Sequence, residues 1–151
     1  MVSSADSRRK ELLHLYEWCC IVLEALAQLG PGMEEARAGR MHGLDEALKR
    51  GWVSPFWQAK NDLLEWAHGL NPAQRARIDQ ALRSKFGTGL PENKRFMGQE
   101  VKAIVRRGVI KDEDEFRVLQ SWVGIIEGDP KKRRELGAVT RLMGRFLTGR
   151  D

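Results

Sequence analysis

Cysteine is scarce in this chain: two residues in 151, side by side at Cys19 and Cys20. Adjacent cysteines bridge only through a strained ring, so no disulfide framework is encoded and a reducing compartment, the cytoplasm, is the expected location. Long hydrophobic runs are missing too. Glu17 and Glu24 interrupt the most apolar stretch, well short of the roughly 20 residues that span a bilayer, so no membrane association is expected. The opening MVSSADSRRKELL lacks the basic-then-apolar-then-small order of a signal peptide. No segment alternates polar and apolar residues over the length of a strand. No HExxH, GxSxG, CxxC or phosphate-binding glycine loop is present. These absences assign no catalytic residue, no metal site and no cofactor, and the chain is not expected to be an enzyme.

What is present is helix grammar. Ser7 or Asp6 is placed to cap a first helix running to Leu29 and stopped by Gly30-Pro31-Gly32. From Leu12 to Leu29 its strongly polar residues, His14, Glu17, Glu24 and Gln28, fall in one narrow stripe at about 100° per residue. The rest is apolar or small, the mark of a central helix or of an oligomer seam in a homodimer. Between Met33 and Arg50, Gly39 and Gly43 break the pattern into a helical turn and a short helix from Leu44 to Arg50. Ser54-Pro55 and Asn71-Pro72 are paired start signals, a capping side chain with proline in the first turn. Thr88–Lys94, TGLPENK, reads as a loop. A helix with Phe96, Val101, Ile104 and Val105 follows and stops at Gly108. Asp112 opens another through Phe116, Leu119, Trp122, Val123 and Ile126 to Gly128, and Asp129-Pro130 opens the last. The expectation is an all-α bundle of about seven helices without a sheet, joined by short loops. A chain of this length folds as one domain, 1–151, with an N-terminal lobe 1–51 packed on a helical core 54–148.

The loudest candidate for chemistry is VRRGVIKDEDEF, Val105–Phe116. As a calcium loop starting at Asp112 it fails, because Phe116 holds the fifth position and Arg117 the sixth, where glycine is needed. As a helix start it succeeds: Asp112 and Glu115 have the spacing of a capping box, and acids in a first turn complement the helix dipole. Arg106 and Arg107 suit the opposite, negative end of the preceding helix, and their exposed charge makes them candidates for a partner contact. His42 and Glu46 are four apart, but two ligands do not make a zinc site. His14 and His68 read as structural. Trp52, Phe56, Trp57 and Trp66 crowd into fifteen residues. Tryptophan is common both in cores and at binding hot spots. Three of the four are expected in the core, Phe56 and Trp66 by helical spacing, with Trp52 or Trp57 as the one exposed anchor for a partner protein.

Charge is unevenly spread. Residues 1–70 carry 8 Lys/Arg and 10 Asp/Glu, net −2, whereas residues 71–151 carry 18 and 11, net +7. Lys131, Lys132, Arg133 and Arg134 crowd the start of the last helix, where positive charge opposes the dipole. Local rules are broken most often where function demands it. Arg141 and Arg145 continue the stripe that Lys131 and Arg134 begin, away from the apolar face of Leu136, Val139, Leu142, Met143, Phe146 and Leu147. That stripe is a candidate surface for a polyanion, either nucleic acid or an acidic protein.

Three stretches carry a resemblance: LNPAQRARIDQALRSKFG (Leu70–Gly87), IVRRGVIKDEDEFRVL (Ile104–Leu119) and the closing Leu142-Met143-Gly144-Arg145-Phe146. From about Leu64 to Phe146 the chain resembles small helical bacterial proteins, some of them immunity-type partners of polymorphic or contact-dependent toxins. The resemblance implies a non-catalytic protein–protein interaction module that binds and neutralises another protein. The positive second half differs from an inhibitor of a basic nuclease, which should be acidic, and points instead to an acidic target. A nucleic-acid-binding or regulatory protein using the basic C-terminal half is the alternative reading.

Overall fold

The computed structural model describes residues 4–149. Among them are seven α-helices, one 3-10 turn and no strand, so the all-α class is the observed one. The helices are α1 (Ser4–Ala27), α2 (Met33–Arg50), α3 (Ser54–His68), α4 (Pro72–Phe86), α5 (Leu90–Arg107), α6 (Glu113–Ile126) and α7 (Arg133–Thr148), with the 3-10 turn at Pro130–Lys132. Among the described residues no helix is long and apolar enough to cross a membrane. The first three residues of the MVSSADSRRKELL segment lie outside the described ones. The chain divides into two compact units, Met1–Leu90 and Pro91–Asp151.

The first unit is organised by α1, which packs against α2, α3 and α4. Leu12, Leu15, Trp18, Cys19, Val22, Leu23 and Leu26 are buried. Their spacing at i, i+3 and i+4 makes a single apolar face. His14, Glu17, Glu24 and Gln28 are all exposed, so the polar stripe faces water as the sequence predicts. Against that face come Leu44 and Ala47 of α2, Phe56, Leu63, Leu64 and Ala67 of α3, and Ile78 and Leu82 of α4, all buried. Each large apolar side chain removed from water contributes about 1.5–3 kcal/mol. The start of α1 differs from expectation: the helix already includes Ser4, so Asp6 and Ser7 lie inside it rather than capping it.

Further boundaries differ. Ser54 is already part of α3 and Val53, with no side-chain cap bond, stands at the cap position, and Asp129-Pro130 opens the 3-10 turn that leads into α7. Met33–Arg50 is one continuous helix through Gly39 and Gly43, because a helical glycine only lowers helix stability and does not by itself end a helix. The helix stops instead at Gly51, whose φ of 70° lets its N–H return to the carbonyls of Ala47 and Leu48. TGLPENK is mostly helix rather than loop: α5 begins at Leu90, with Pro91 in its first turn. Proline there has its φ already set and lacks an N–H that would have no helical partner. The Asp79 carboxylate of α4 accepts the Leu90 N–H at 2.9 Å and so fixes the entry. Asn71-Pro72 starts α4 as predicted, with a full capping box: Asn71 Oδ1 accepts from Gln74 N at 2.8 Å and Gln74 Oε1 from Asn71 N at 3.2 Å.

In the second unit Trp122 of α6 joins three helices. Its ring lies against α5 at Gly98, where an added Cβ would sit 2.9 Å from Trp122 Cη2. Its Nε1 donates to Glu135 Oε1 of α7 at 2.8 Å. Phe116 and Phe146 stack between α6 and α7 with ring centroids 5.3 Å apart. Phe96, read as a core position of α5, is instead 50% exposed; the buried face of that helix runs through Asn93, Met97, Gly98, Val101 and Ile104.

The glycines of these helices are predicted to respond with opposite signs. A Cβ at Gly39 or Gly43 meets nothing within 4 Å, so Gly39→Ala and Gly43→Ala should each stabilise the protein by about 0.5–1 kcal/mol. Gly98→Ala forces a methyl into the buried, hydrogen-bonded Trp122 ring and should destabilise by about 1–3 kcal/mol. Urea denaturation midpoints of the three variants check both signs.

Candidate functional site

The acidic run is a corner between α5 and α6. Gly108 closes α5 with φ of 83° and its N–H on the Ile104 carbonyl at 3.0 Å. Asp112 caps α6, its Oδ1 accepting from Glu115 N at 2.9 Å. The reciprocal half of the capping box is shifted by one residue. Glu115 Oε1 accepts from the N–H of Lys111, not of Asp112, at 2.9 Å. It also takes the Arg107 guanidinium, which donates in addition to the Val109 carbonyl at 2.9 and 3.2 Å. Arg107 is thus a surface clamp across the corner, with its donors engaged by Val109 and Glu115. Arg106 beside it is exposed and has no such contacts among the described residues.

The two candidate tryptophans are both at the surface, Trp52 at 50% and Trp57 at 41% exposure, while Phe56 is fully buried and Trp66 half-buried. Neither exposed ring is loose. Trp52 lies under the Arg50 guanidinium, 5.0 Å from its centroid, and Arg50 is itself held by Glu46 Oε1 at 2.6 Å. Trp57 donates its Nε1–H to Glu11 Oε1 of α1 at 3.1 Å. The Lys60 ammonium lies 5.3 Å from the Trp57 ring and 4.9 Å from that of Trp18. Cation–π contacts of this kind contribute about 0.5–2 kcal/mol. Burial holds the Lys60 pKa below its usual value, though the nearby Cys19 opposes that shift. Arg50, Lys60 and Glu11 did not figure among the candidate residues of the sequence. Two were legible by spacing, Lys60 one helical turn after Trp57 and Arg50 just before Trp52; Glu11, on another helix, was not.

The basic residues of the C-terminal segment divide between two elements. Lys131 and Lys132 lie in the 3-10 turn, and Arg133 and Arg134 in the first turn of α7. The conflict with the helix dipole is softened locally, since Asp129 accepts the Lys131 N–H at 2.9 Å and Glu135 stands 3.6 Å from Lys132 Nζ. Lys131, Arg133, Arg134, Arg141 and Arg145 are exposed, and among the described residues none of them has an ion-pair partner. On the first unit four of the eight arginines stand in ion pairs: Arg37 with Glu34 and Glu24, Arg40 at a longer distance with Asp62, Arg50 with Glu46, Arg83 with Asp79.

The remaining reactive side chains are engaged in packing. His14 packs on Phe86 with centroids 4.8 Å apart. His68 ends α3, and its carbonyl accepts from Arg75 Nη1 at 3.0 Å. Glu46, the carboxylate near His42, is taken by Arg50. Burial pushes the Cys19 thiol up to about 12, aided by neighbouring Cys20, and burial also raises Cys20, whose Sγ approaches Met41 Sδ at 3.8 Å. A hydrogen bond to Asp45 Oδ1 at 2.7 Å, with burial, holds the Tyr16 phenol above its ordinary range. No family model matches the chain, and comparison with curated proteins and with solved structures finds no match.

The adjacent arginines should separate in a stability measurement. Arg107→Ala removes the clamp on Val109 and Glu115 and is expected to destabilise by about 1 kcal/mol. Asp112→Ala, which removes the cap, should cost a similar amount, about 1 kcal/mol. Arg106→Ala should stay within about 0.5 kcal/mol of the parent. Equal losses at 106 and 107 in urea unfolding would contradict the corner described above.

Proposed function

We propose that this chain is a non-catalytic interaction protein that binds an acidic partner protein through the Trp52–Trp57 face of its first unit. In this reading it acts in the bacterial cytoplasm as an immunity-type inhibitor of a toxin. The carrying observation is that two large aromatic rings are exposed and already held in place, one by Arg50 and the other by Glu11 and Lys60. Binding by pre-ordered side chains forfeits less conformational entropy, and tryptophan and arginine dominate interface hot spots. The cations flanking both rings favour a partner with acidic groups around an apolar centre. Two observations support a role without catalysis: burial raises the pKa of both thiols, which disfavours the nucleophilic thiolate, and the Asp112 and Glu115 carboxylates are occupied by the corner.

Affinity purification with the full chain tests this reading when run beside a Trp52→Ala, Trp57→Ala double variant. A specific protein recovered by the parent should be lost from the variant. Loss of each indole is expected to weaken that complex by about 2 kcal/mol or more, roughly 30-fold. Recovery of the same proteins by both chains, or turnover of a substrate by the purified protein, would overturn it.

A second reading rests on a different observation, the unpaired cations of α7. Arg133, Arg134, Arg141 and Arg145, with Lys131 just before them, offer a charged surface to phosphates. Binding to duplex DNA should then weaken by about 0.9 log units per tenfold rise in salt for each phosphate neutralised. It should also be abolished in an Arg134→Glu, Arg141→Glu variant. A gel shift showing no complex at low salt removes this alternative.

A further inference from the structure

We infer that a cavity in the first unit, between α1, α2 and α3, is a binding site for a small apolar molecule carrying a single carboxylate. This is independent of the Trp52–Trp57 face. The cavity has a volume of about 260 Å³ and is lined by Leu23, Leu26, Met33, Ala36, Arg37, Arg40 and Trp66. Its floor is apolar: Leu23 and Leu26 are at most 2% exposed, and the half-buried Trp66 supplies an aromatic wall. Met33 adds a flexible thioether, a side chain that adapts to irregular occupants. A concave apolar surface with a few polar groups at its rim is the common form of small-molecule sites. The volume, just below the usual range of roughly 300–1,000 Å³, limits the occupant to about one ring with a short side arm.

The two arginines of the lining differ in a way that fixes the chemistry of the head group. Arg37 is saturated: its Nε lies 3.1 Å from both Glu34 oxygens, its Nη2 2.6 Å from Glu34 Oε1 and its Nη1 3.5 Å from Glu24. It forms a fixed wall. Arg40 has one long approach, Nη1 to Asp62 Oδ2 at 3.8 Å, beyond hydrogen-bonding distance, and so keeps a planar donor fork for a carboxylate. The charge tolerated is bounded as well. Glu24, Glu34 and Asp62 all stand beside these guanidinium groups, so repulsion grows with ligand charge and weighs more on a dianion, such as phosphate above its second pKa, than on a monoanion. The local chemistry thus selects an aromatic or short aliphatic monocarboxylate, its head on Arg40 and its body against Leu23, Leu26 and Trp66.

Phenylacetate titrated into the ¹⁵N-labelled full chain tests the site, with phenylacetamide and inorganic phosphate as matched probes. Saturable shifts are expected at the Trp66 indole and the amides of Leu23, Leu26 and Ala36, with a Kd of about 1 mM, as befits a fragment of this size. The neutral amide should bind at least tenfold more weakly, and phosphate should not saturate. Arg40→Gln should lose at least tenfold for phenylacetate while leaving the amide unchanged. Ala36→Phe, a substitution at an exposed helix position of the lining that fills the cavity, should abolish both. Shifts that fail to saturate, equal binding of acid and amide, or full binding by Arg40→Gln would each overturn the assignment. No partner protein enters the experiment, so its outcome is separate from that of the interaction proposed above.

Discussion

The apolar face of α1, from Leu12 to Leu26, is the surface on which the first unit is assembled, and both candidate sites of that unit depend on it. Trp18 is buried in that face and presents its ring to Lys60; Lys60 in turn steadies Trp57. One turn further along, Leu23 and Leu26 form the cavity floor. The polar edge of the same helix contributes too, since Glu11 accepts from Trp57, Tyr16 donates to Asp45 of α2, and Glu24 reaches Arg37. A change that rotates α1 therefore disturbs the aromatic surface and the cavity together. The interior is dense enough to transmit such a shift rather than absorb it.

The distribution of ion pairs sharpens what net charge alone left vague. A sum of +5 says little about partners. What distinguishes surfaces is whether a cation is already neutralised by its own chain. Arg37 and Arg107 are locked into the fold, and their charge is spent on holding a helix start or a corner. Among the described residues the cations of α7 are not, while Lys132 in the 3-10 turn before it pairs with Glu135. An exposed ion pair contributes only about 0–1 kcal/mol to stability, so leaving these cations unpaired costs the fold little. It does leave a field available to a ligand.

Much of the architecture was legible because it follows from local chemistry. The stripe of α1, the Asn71-Pro72 start of α4 and the Asp112 cap each depend on residues within one or two turns of one another. Failures came where a distant or weak effect decided the outcome. Gly39 and Gly43 looked like breaks, yet the penalty of two helical glycines is small beside the apolar contacts of Leu44 and Ala47 in the same helix. TGLPENK looked like a loop, but Asp79, eleven residues before Leu90, caps the helix that begins there. Phe96 looked like core because a single phenylalanine cannot reveal which of two neighbouring stripes faces inward; Met97 and Gly98 define the other. Only one of the two exposed tryptophans was expected at the surface, since Trp52 lies between helices where spacing gives no face, and the Glu11 tether and the cavity required the packing of three helices.

Arg106 and Arg107 show why adjacent, chemically identical residues must be separated before function is assigned to either. A step of one residue turns a helical side chain by about 100°, which here separates an exposed side chain engaged by the corner from an exposed one that is not. Arg107 meets Val109 and Glu115, so its replacement is felt in stability first. Arg106 projects from the same turn without such contacts, so any effect of its loss is felt at a surface. The same division holds between Trp66 and Trp57, two indoles on one helix, one lining a cavity and the other facing solvent. In the readings proposed above, function falls to residues that the helix faces, caps and corner do not use, among them Trp52, Trp57, Arg40 and the α7 cations.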